Sequence, residues 1–217
     1  MEDKTTKRPR GCFFYGCISG TVLLVLVLVG ALVGLHYFKK MFNQMTDSQP
    51  MPLPEVQLSQ AQMAEVQQRL DTFRQDVRAG RPTAPLALTA DEINALIATD
   101  ADLQSMKGKL YISIEGDQVK GQLSLRLDQL GLPMFQNRYL NAVGTFTVGV
   151  NNGNLSLFAQ NIVAKGKPLP EVYMDKIRKQ NLAQQLNQDP NAAAALNRLE
   201  QVQVKDGKLV IVPKATP

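Results

Sequence analysis

The side chains that could carry out chemistry are few and unevenly placed along this chain of 217 residues. The only cysteines, Cys12 and Cys17, and the only histidine, His36, all lie near the N-terminus. The rest of the chain therefore has no thiolate or imidazole for nucleophilic catalysis. Any metal site there would have to be built from carboxylates alone.

Neighbouring acidic residues are the remaining candidates, because two carboxyl groups can act as a general acid and a general base. Asp91 and Glu92 lie in the first turn of a predicted helix, where the helix dipole favours negative charge. Asp100 and Asp102 fall in a polar loop, and Asp117 belongs to a turn. None is an isolated acid in an apolar run, the setting that raises a carboxyl pKa. We therefore predict a protein that is not an enzyme and that has no catalytic residue, metal site or cofactor.

A stretch without Asp, Glu, Lys or Arg runs from Gly11 to Phe38. It is long enough to cross a hydrocarbon core of roughly 30 Å, and it ends in HYFKK instead of the small residues of a signal-peptide cleavage site. We predict a transmembrane anchor at 11–38, preceded by a basic cytoplasmic segment at 1–10. The basic flanks favour a cytoplasmic N-terminus and a C-terminal domain outside, in the periplasm or at the cell surface.

Small residues within this anchor allow more than one interpretation. The pairs Gly16/Gly20 and Gly30/Gly34 each have the four-residue spacing that is typical of packing between membrane helices. These pairs could form a homodimer, although glycine is common in membrane helices. We interpret His36 as an interfacial residue in preference to a proton relay. Cys12 and Cys17 are more simply apolar helix residues than palmitoylation sites.

The basic character of the chain comes from the flanks of the predicted anchor. The formal net charge is +5, and the first forty residues hold six Lys or Arg against two acids. The remainder is almost neutral, and tryptophan is absent. The sequence therefore predicts no nucleic-acid surface.

Alternate prolines at Pro50, Pro52 and Pro54 favour an extended spacer. We predict a proline-containing tether at 39–57, which would hold a domain at 58–217 on the order of 30 Å from the membrane. A helix should follow, with Ser59 and Gln62 as its capping pair. Its apolar seam is expected to pack on the sheet of the same domain, since it is too short for a coiled coil.

The stretch LTADEINALI predicts a short amphipathic helix, which Thr89 and Glu92 can cap reciprocally. Alternating strands follow, with turn signals at Gly116–Asp117, Asn152–Gly153 and Asp206–Gly207. In the second hairpin, the apolar residues change to the alternate positions of the strand before Ile162, which indicates a bulge or twist. The predicted fold class is α+β: an N-terminal transmembrane helix, then one curled antiparallel sheet of three hairpins packed with helices.

The order of four segments resembles the YpmS-type family of membrane-anchored bacterial proteins over roughly residues 86–212. They are LTADEINALI, VKGQLSLRL, RYLNAVGTFTVGVNNGNLSLFAQNIVAKGKPLPE and VKDGKLVIV. The chain is similar more loosely to envelope domains that form half of a tubular lipid-binding unit. This likeness implies a curled sheet around a helix, sometimes enclosing an acyl chain, and it transfers no binding residue.

Together these observations predict a bacterial cell-envelope protein with one membrane span, which binds a lipid or another apolar ligand. The alternative is a scaffold or assembly factor that binds a partner protein. The candidate apolar lining consists of Ile93, Leu96, Ile97, Leu123, Leu125, Phe146, Val148, Leu155 and Leu157. A basic cluster could contact phospholipid head groups, although a solvated helix face is the commoner explanation; it consists of Lys165, Lys167, Lys176, Arg178 and Lys179.

Overall fold

The computed structural model describes residues 11–128 and 136–214, without the side chains of residues 11–23, 25, 41 and 102. The chain divides into two compact units after Gln44. The predicted cytoplasmic segment at 1–10 lies outside the described residues. The side chains of Cys12 and Cys17 and the surroundings of Gly16 and Gly20 lie outside them as well.

The first unit contains one helix, α1, at Gly11–Met45. The predicted anchor segment is therefore helical, and the helix continues through the first residues of the predicted tether. Large apolar side chains between Leu24 and Phe38 are exposed. A Cβ atom added at Gly30 or Gly34 would meet no atom within 4 Å. Among the residues that the structure describes, no helix is long and apolar enough to cross a membrane.

The second unit alternates helices and strands. Its helices are α2 (Gln60–Ala79), α3 (Ala90–Thr99), a 3₁₀ helix (Ala101–Met106), α4 (Glu171–Ile177), α5 (Gln184–Gln188) and α6 (Pro190–Leu196). Its strands are β1 (Leu86–Thr89), β2 (Leu110–Glu115), β3 (Gln118–Arg126), β4 (Tyr139–Asn151), β5 (Asn154–Ala164), β6 (Lys167–Pro168), β7 (Leu199–Lys205) and β8 (Lys208–Pro213). The α+β class is confirmed.

The strands form two antiparallel sheets, so the expectation of a single sheet is wrong. One sheet has the order β2-β3-β4-β5-β6 and the other the order β1-β8-β7. The third hairpin cannot extend the larger sheet, because both edges of that sheet are already occupied. Asn94 bonds the outer edge of β2, and the segment after β6 bonds the outer edge of β5. Neither sheet is strongly curled, which corrects the expected curled surface.

The predicted hairpin turns are confirmed by their backbone angles. Asn152 and Gly153 have φ values of 50° and 76°, and Asp206 and Gly207 have 52° and 69°. Positive φ at both central residues is the type I′ pattern of tight hairpins. The predicted irregularity is also present, since Thr145 pairs with Asn161 whereas Phe146 pairs with Ala159.

Helix α2 begins and ends as its sequence indicates. Ser59 and Gln62 form a capping box, and Gly80 ends the helix in the left-handed conformation. Its apolar seam packs on the three-stranded sheet of the same unit, as expected. The fully buried members of this core are Val66, Phe73, Leu86, Leu88 and Leu96.

The residues between α1 and α2 lie along the second unit instead of forming a spacer. Thr46 is 2% exposed, and Arg138 donates hydrogen bonds to its side chain and its carbonyl group. Asn141 accepts from the backbone N–H of Met51 at 3.0 Å. Residues 46–51 are therefore hydrogen-bonded parts of the second unit, and the expected separation of the domain from the membrane stays a prediction. Hydrogen bonds to buried polar side chains hold this segment against the rest of the second unit, and the proline pattern does not predict them.

Candidate functional site

Six of the nine predicted lining residues lie on one face of the five-stranded sheet. The register brings them together, because Leu125 faces Leu140 across β3 and β4, and Val148 faces Leu157 across β4 and β5. The six are Leu123, Leu125, Phe146, Val148, Leu155 and Leu157, and all are only partly buried. They form a continuous apolar surface, which we call the large-sheet face.

Phe146 occupies the middle of the large-sheet face. A Cβ atom added at Gly144 would come within 2.6 Å of its ring, and one added at Gly121 within 3.2 Å. The ring therefore rests on the backbone at two glycines in neighbouring strands. This packing fills the space where a groove along the sheet would be deepest.

The three helical candidates do not join the large-sheet face. Asn94 holds α3 beside the edge of β2, since it donates to the carbonyl of Ile112 at 2.6 Å and accepts from its N–H at 2.8 Å. Ile93 and Leu96 consequently pack into the core formed with α2 and β1. Ile97 is buried and lines a separate cavity.

That separate cavity has a volume of about 600 Å³ and lies beneath the proline-containing segment. Residues 50–57 form one wall, and Ile97, Ala98 and Tyr111 contribute to the other. Its lining contains no pair of carboxyl groups, since Glu55 and Lys107 are its only ionisable side chains besides Tyr111. The cavity exists because residues 46–57 lie across the domain.

A larger cavity of about 770 Å³ lies between α2, α6 and the three-stranded sheet. We call it the α2–α6 cleft. Helix α2 supplies Leu70, Phe73 and Val77 to its wall. The remaining apolar lining comes from α6 and the three-stranded sheet: Ala194, Ala195, Leu86, Leu199 and Ile211. This volume is in the range of small-molecule binding sites, which are mostly apolar with a few polar groups.

All three charged residues in the lining of the α2–α6 cleft are arginines, and no acidic residue lines it. Arg198 donates to the carbonyl oxygen of Val77 at 2.7 Å and also to that of Arg78, which satisfies carbonyl groups at the end of α2. Arg74 lies 3.7 Å from the carboxylate of Asp100. The exposed guanidinium of Arg78 makes no hydrogen bond or ion pair with the residues described here. The cleft therefore combines an apolar wall with an available positive charge.

Sequence reasoning identified the seam of α2 but missed the cleft. The available signal was Arg74 and Arg78, two basic residues four positions apart next to Phe73 and Val77. The partner wall could not be found in this way, because Ala195 and Arg198 are more than a hundred residues distant in sequence.

Two of the acidic catalytic candidates, Glu92 and Asp100, have structural partners, and that of Asp100 is Arg74. Glu92 accepts from the backbone N–H of Thr89 and pairs with Arg69, and Thr89 accepts from the N–H of Glu92. The predicted capping box of α3 is thus confirmed. In residues 11–128 and 136–214, no group of three or more His, Cys, Asp or Glu side chains could hold a metal ion.

One ion-pair cluster perturbs titration at the surface. Arg178 donates to Glu171 at 2.7 Å and contacts Asp175 at 3.4 Å. The hydrogen bond from Arg178, followed by its charge, lowers the pKa of Glu171. The same contact raises the pKa of Arg178.

Comparisons with family models, curated proteins and solved structures gave no match for this chain.

Proposed function

We propose that this chain is a membrane-anchored envelope protein that is not an enzyme and that binds a lipid-like ligand in the α2–α6 cleft. The observation that carries this proposal is the combination of eight apolar lining residues with three arginines and no acid. The apolar wall would contact the hydrocarbon chain of the ligand, because burial stabilises the complex by roughly 25 cal/mol per Å² of apolar surface removed from water. Arg78 would face the anionic end of that chain, because a charge-assisted hydrogen bond is among the stronger polar contacts.

Support for the anchor comes from the sequence and from the helical state of its residues. The stretch from Gly11 to Phe38 has no charged side chain, and α1 includes all of it. Apolar side chains from Leu24 to Phe38 are exposed along α1, which suits a hydrocarbon environment. We propose that the N-terminus is cytoplasmic and that the second unit is extracytoplasmic.

Cysteine labelling in intact cells tests this orientation. The second unit has no cysteine, so Asp117→Cys places a single thiol on an exposed turn. We expect a membrane-impermeant maleimide to label this variant from outside, whereas Cys12 and Cys17 react only after the cells are lysed. Labelling of Asp117→Cys only after lysis would place the domain in the cytoplasm and contradict the proposal.

Photocrosslinking tests the ligand site in the full chain reconstituted in lipid vesicles. A photoreactive fatty acid should label peptides from α2 and α6. Ala195→Phe, which adds a ring to the lining, should reduce that labelling several-fold. Ala64→Phe is the matched control, since Ala64 is an exposed residue of α2 outside the lining. Labelling that is unaffected by Ala195→Phe would exclude the cleft as the site.

The charge of the ligand can be tested with the same reagent. Arg78→Ala should weaken labelling by the fatty acid and leave labelling by the corresponding fatty alcohol unchanged. An equal loss with both reagents would show that Arg78 does not recognise a negative charge.

The alternative function is a scaffold that binds a partner protein, and the large-sheet face favours it. That face keeps Leu123, Phe146 and Leu157 only partly buried, and adjacent apolar surface of this kind often marks an interface. Crosslinking in cells through a photoreactive residue at Val148 would give one stoichiometric protein adduct if the scaffold proposal holds. Crosslinks to lipid alone would contradict it.

A further inference from the structure

Residues 169–188 cover the outer edge of β5, and we call them the edge segment. Leu169 donates its N–H to the carbonyl of Ile162 at 2.9 Å. Further along β5, Asn181 donates to Leu155 at 2.8 Å and accepts from the N–H of Leu157 at 2.9 Å. The edge segment is therefore held by hydrogen bonds along most of the strand, which fixes which of its side chains face outward.

The edge segment uses small or flexible residues to contact the sheet and leaves larger apolar residues exposed. Met174 is 1% exposed and Ala183 is 6% exposed. In contrast, Val172 is 71% exposed, and the other large apolar residues that point outward are also prominent: Tyr173, Leu182 and Leu186. Because four large apolar side chains are exposed within one short segment, this arrangement indicates an interaction surface.

Lysine side chains accompany these apolar residues. Residues 165–188 contain five Lys or Arg and only two acids, which are Glu171 and Asp175. Both acids contact Arg178, and these three side chains together carry a net charge of −1. Lys167, Lys176 and Lys179 are exposed and make no ion pair within the described part of the chain. Residues 165–188 therefore carry a net charge of +3, and their exposed lysines accompany the exposed apolar side chains of the edge segment.

We propose that the edge segment docks onto the surface of a bilayer that contains anionic lipid. Val172 and Leu186 enter the boundary between head groups and acyl chains, and the lysines contact the phosphates. A membrane fits these residues better than an acidic protein does, since protein interfaces are depleted in lysine and enriched in arginine and tryptophan. Lysine is a mobile, strongly hydrated point charge, which suits fluid head groups more than a fixed carboxylate pair.

Tryptophan fluorescence tests this proposal in the full chain, which has no tryptophan of its own. Val172→Trp provides a single probe, and the chain is reconstituted in phosphatidylcholine vesicles with or without phosphatidylglycerol, with bromine atoms on the acyl chains as quenchers. Flotation confirms that the protein is on the vesicles. Gln118→Trp, at the exposed start of β3, is the matched control. Leu186→Trp provides a second probe if Val172→Trp disturbs folding.

We expect bromolipid to quench the Val172→Trp and Leu186→Trp probes in vesicles that contain phosphatidylglycerol, and to leave the Gln118→Trp probe almost unquenched. Each charge removed by Lys176→Gln or Lys179→Gln should lower the ratio of docked to undocked chain about fivefold. Lys205→Gln, which changes an exposed lysine at the end of β7, should have no effect. Equal quenching of the probes at 172, 186 and 118 would overturn the proposal. Quenching that is insensitive to the two lysines would overturn it as well. Shielding of the 172 probe by a copurifying protein, with no response to lipid, would assign the edge segment to a protein partner instead.

Discussion

The two sheets of the second unit bury their apolar residues to different extents. The three-stranded sheet packs Leu86 and Leu88 against α2, and both residues are 5% exposed. The five-stranded sheet has more strands and longer ones, yet the apolar side chains of its large-sheet face stay only partly buried. Since stabilisation follows the apolar area removed from water, Leu86 and Leu88 each contribute more hydrophobic stability than an apolar residue of similar size on the large-sheet face. The large sheet keeps apolar surface available for contacts.

Truncating one phenylalanine on each sheet is the strongest test of this difference. Phe73→Ala should reduce the free energy of unfolding by about 3–5 kcal/mol, because Phe73 is enclosed in the core with Val66 and Leu88. Phe146→Ala should cost clearly less, because its ring is partly in contact with water. Urea denaturation of the full chain in mild detergent measures both losses. Equal losses would show that the large-sheet face carries as much of the core as the small sheet.

The second test removes the side chain that joins α3 to the large sheet. Asn94→Leu keeps a similar volume but leaves the N–H and carbonyl groups of Ile112 without their partner. We expect a loss of about 1–3 kcal/mol, the usual cost of unsatisfied buried polar groups. Asn154→Leu is the control, since its exposed amide makes one 3.3 Å hydrogen bond within a turn. Similar denaturation midpoints for the two variants would argue against this role of Asn94.

Local features of the fold were predictable from the sequence because neighbouring residues determine them. The capping boxes at Ser59 and Thr89 and the turn at Asn152–Gly153 each depend on residues at most three positions apart. The division into two sheets was not predictable, because alternation indicates which residues share a face but not which strands pair. It depends on edge contacts such as that of Asn94 with Ile112, between residues 18 positions apart.

The candidate site was even harder to predict from the sequence, because it also depends on contacts between distant residues. Strand alternation correctly grouped Leu123, Phe146 and Leu157 on one face. It could not show that Ile93 and Leu96 would pack with α2 instead, because both choices satisfy the same helical pattern. The two walls of the α2–α6 cleft are distant in sequence, so no local sequence pattern predicts the cleft.

A third and smaller effect is expected at the start of α3. Thr89→Ala should cost about 1 kcal/mol, since Thr89 accepts from the N–H of Glu92 at 3.2 Å and also ends β1. Ser59→Ala, at the exposed start of α2, should cost less because water can replace its hydroxyl. Thermal unfolding of the two variants measures the difference. A larger loss of stability for Ser59→Ala would show that the start of α2 contributes more to the stability of the core on the three-stranded sheet than β1 does.

The smallest effect is expected at the surface of the large sheet, from Glu171→Gln. Arg178 lowers the pKa of Glu171 in the folded chain, so the ion pair stabilises the fold above the unfolded-state pKa. This contribution is lost as the pH falls through the lower folded-state pKa. The wild type should therefore be slightly more stable than Glu171→Gln at pH 7, and the difference should shrink at an acidic pH below the ordinary glutamate pKa. Unfolding midpoints at both pH values provide the measurement, and a difference that persists in acid would contradict this interpretation.

The asparagine contacts at the two borders of the large sheet also affect how the protein behaves at high concentration. A strand with free backbone groups can recruit a strand from another molecule, and this is a common route to aggregation and domain swapping. Asn94 on one side and Asn181 with Asn187 on the other occupy the groups that a foreign strand would need. A protein at high local concentration can in this way keep an apolar sheet face accessible without polymerising through its backbone.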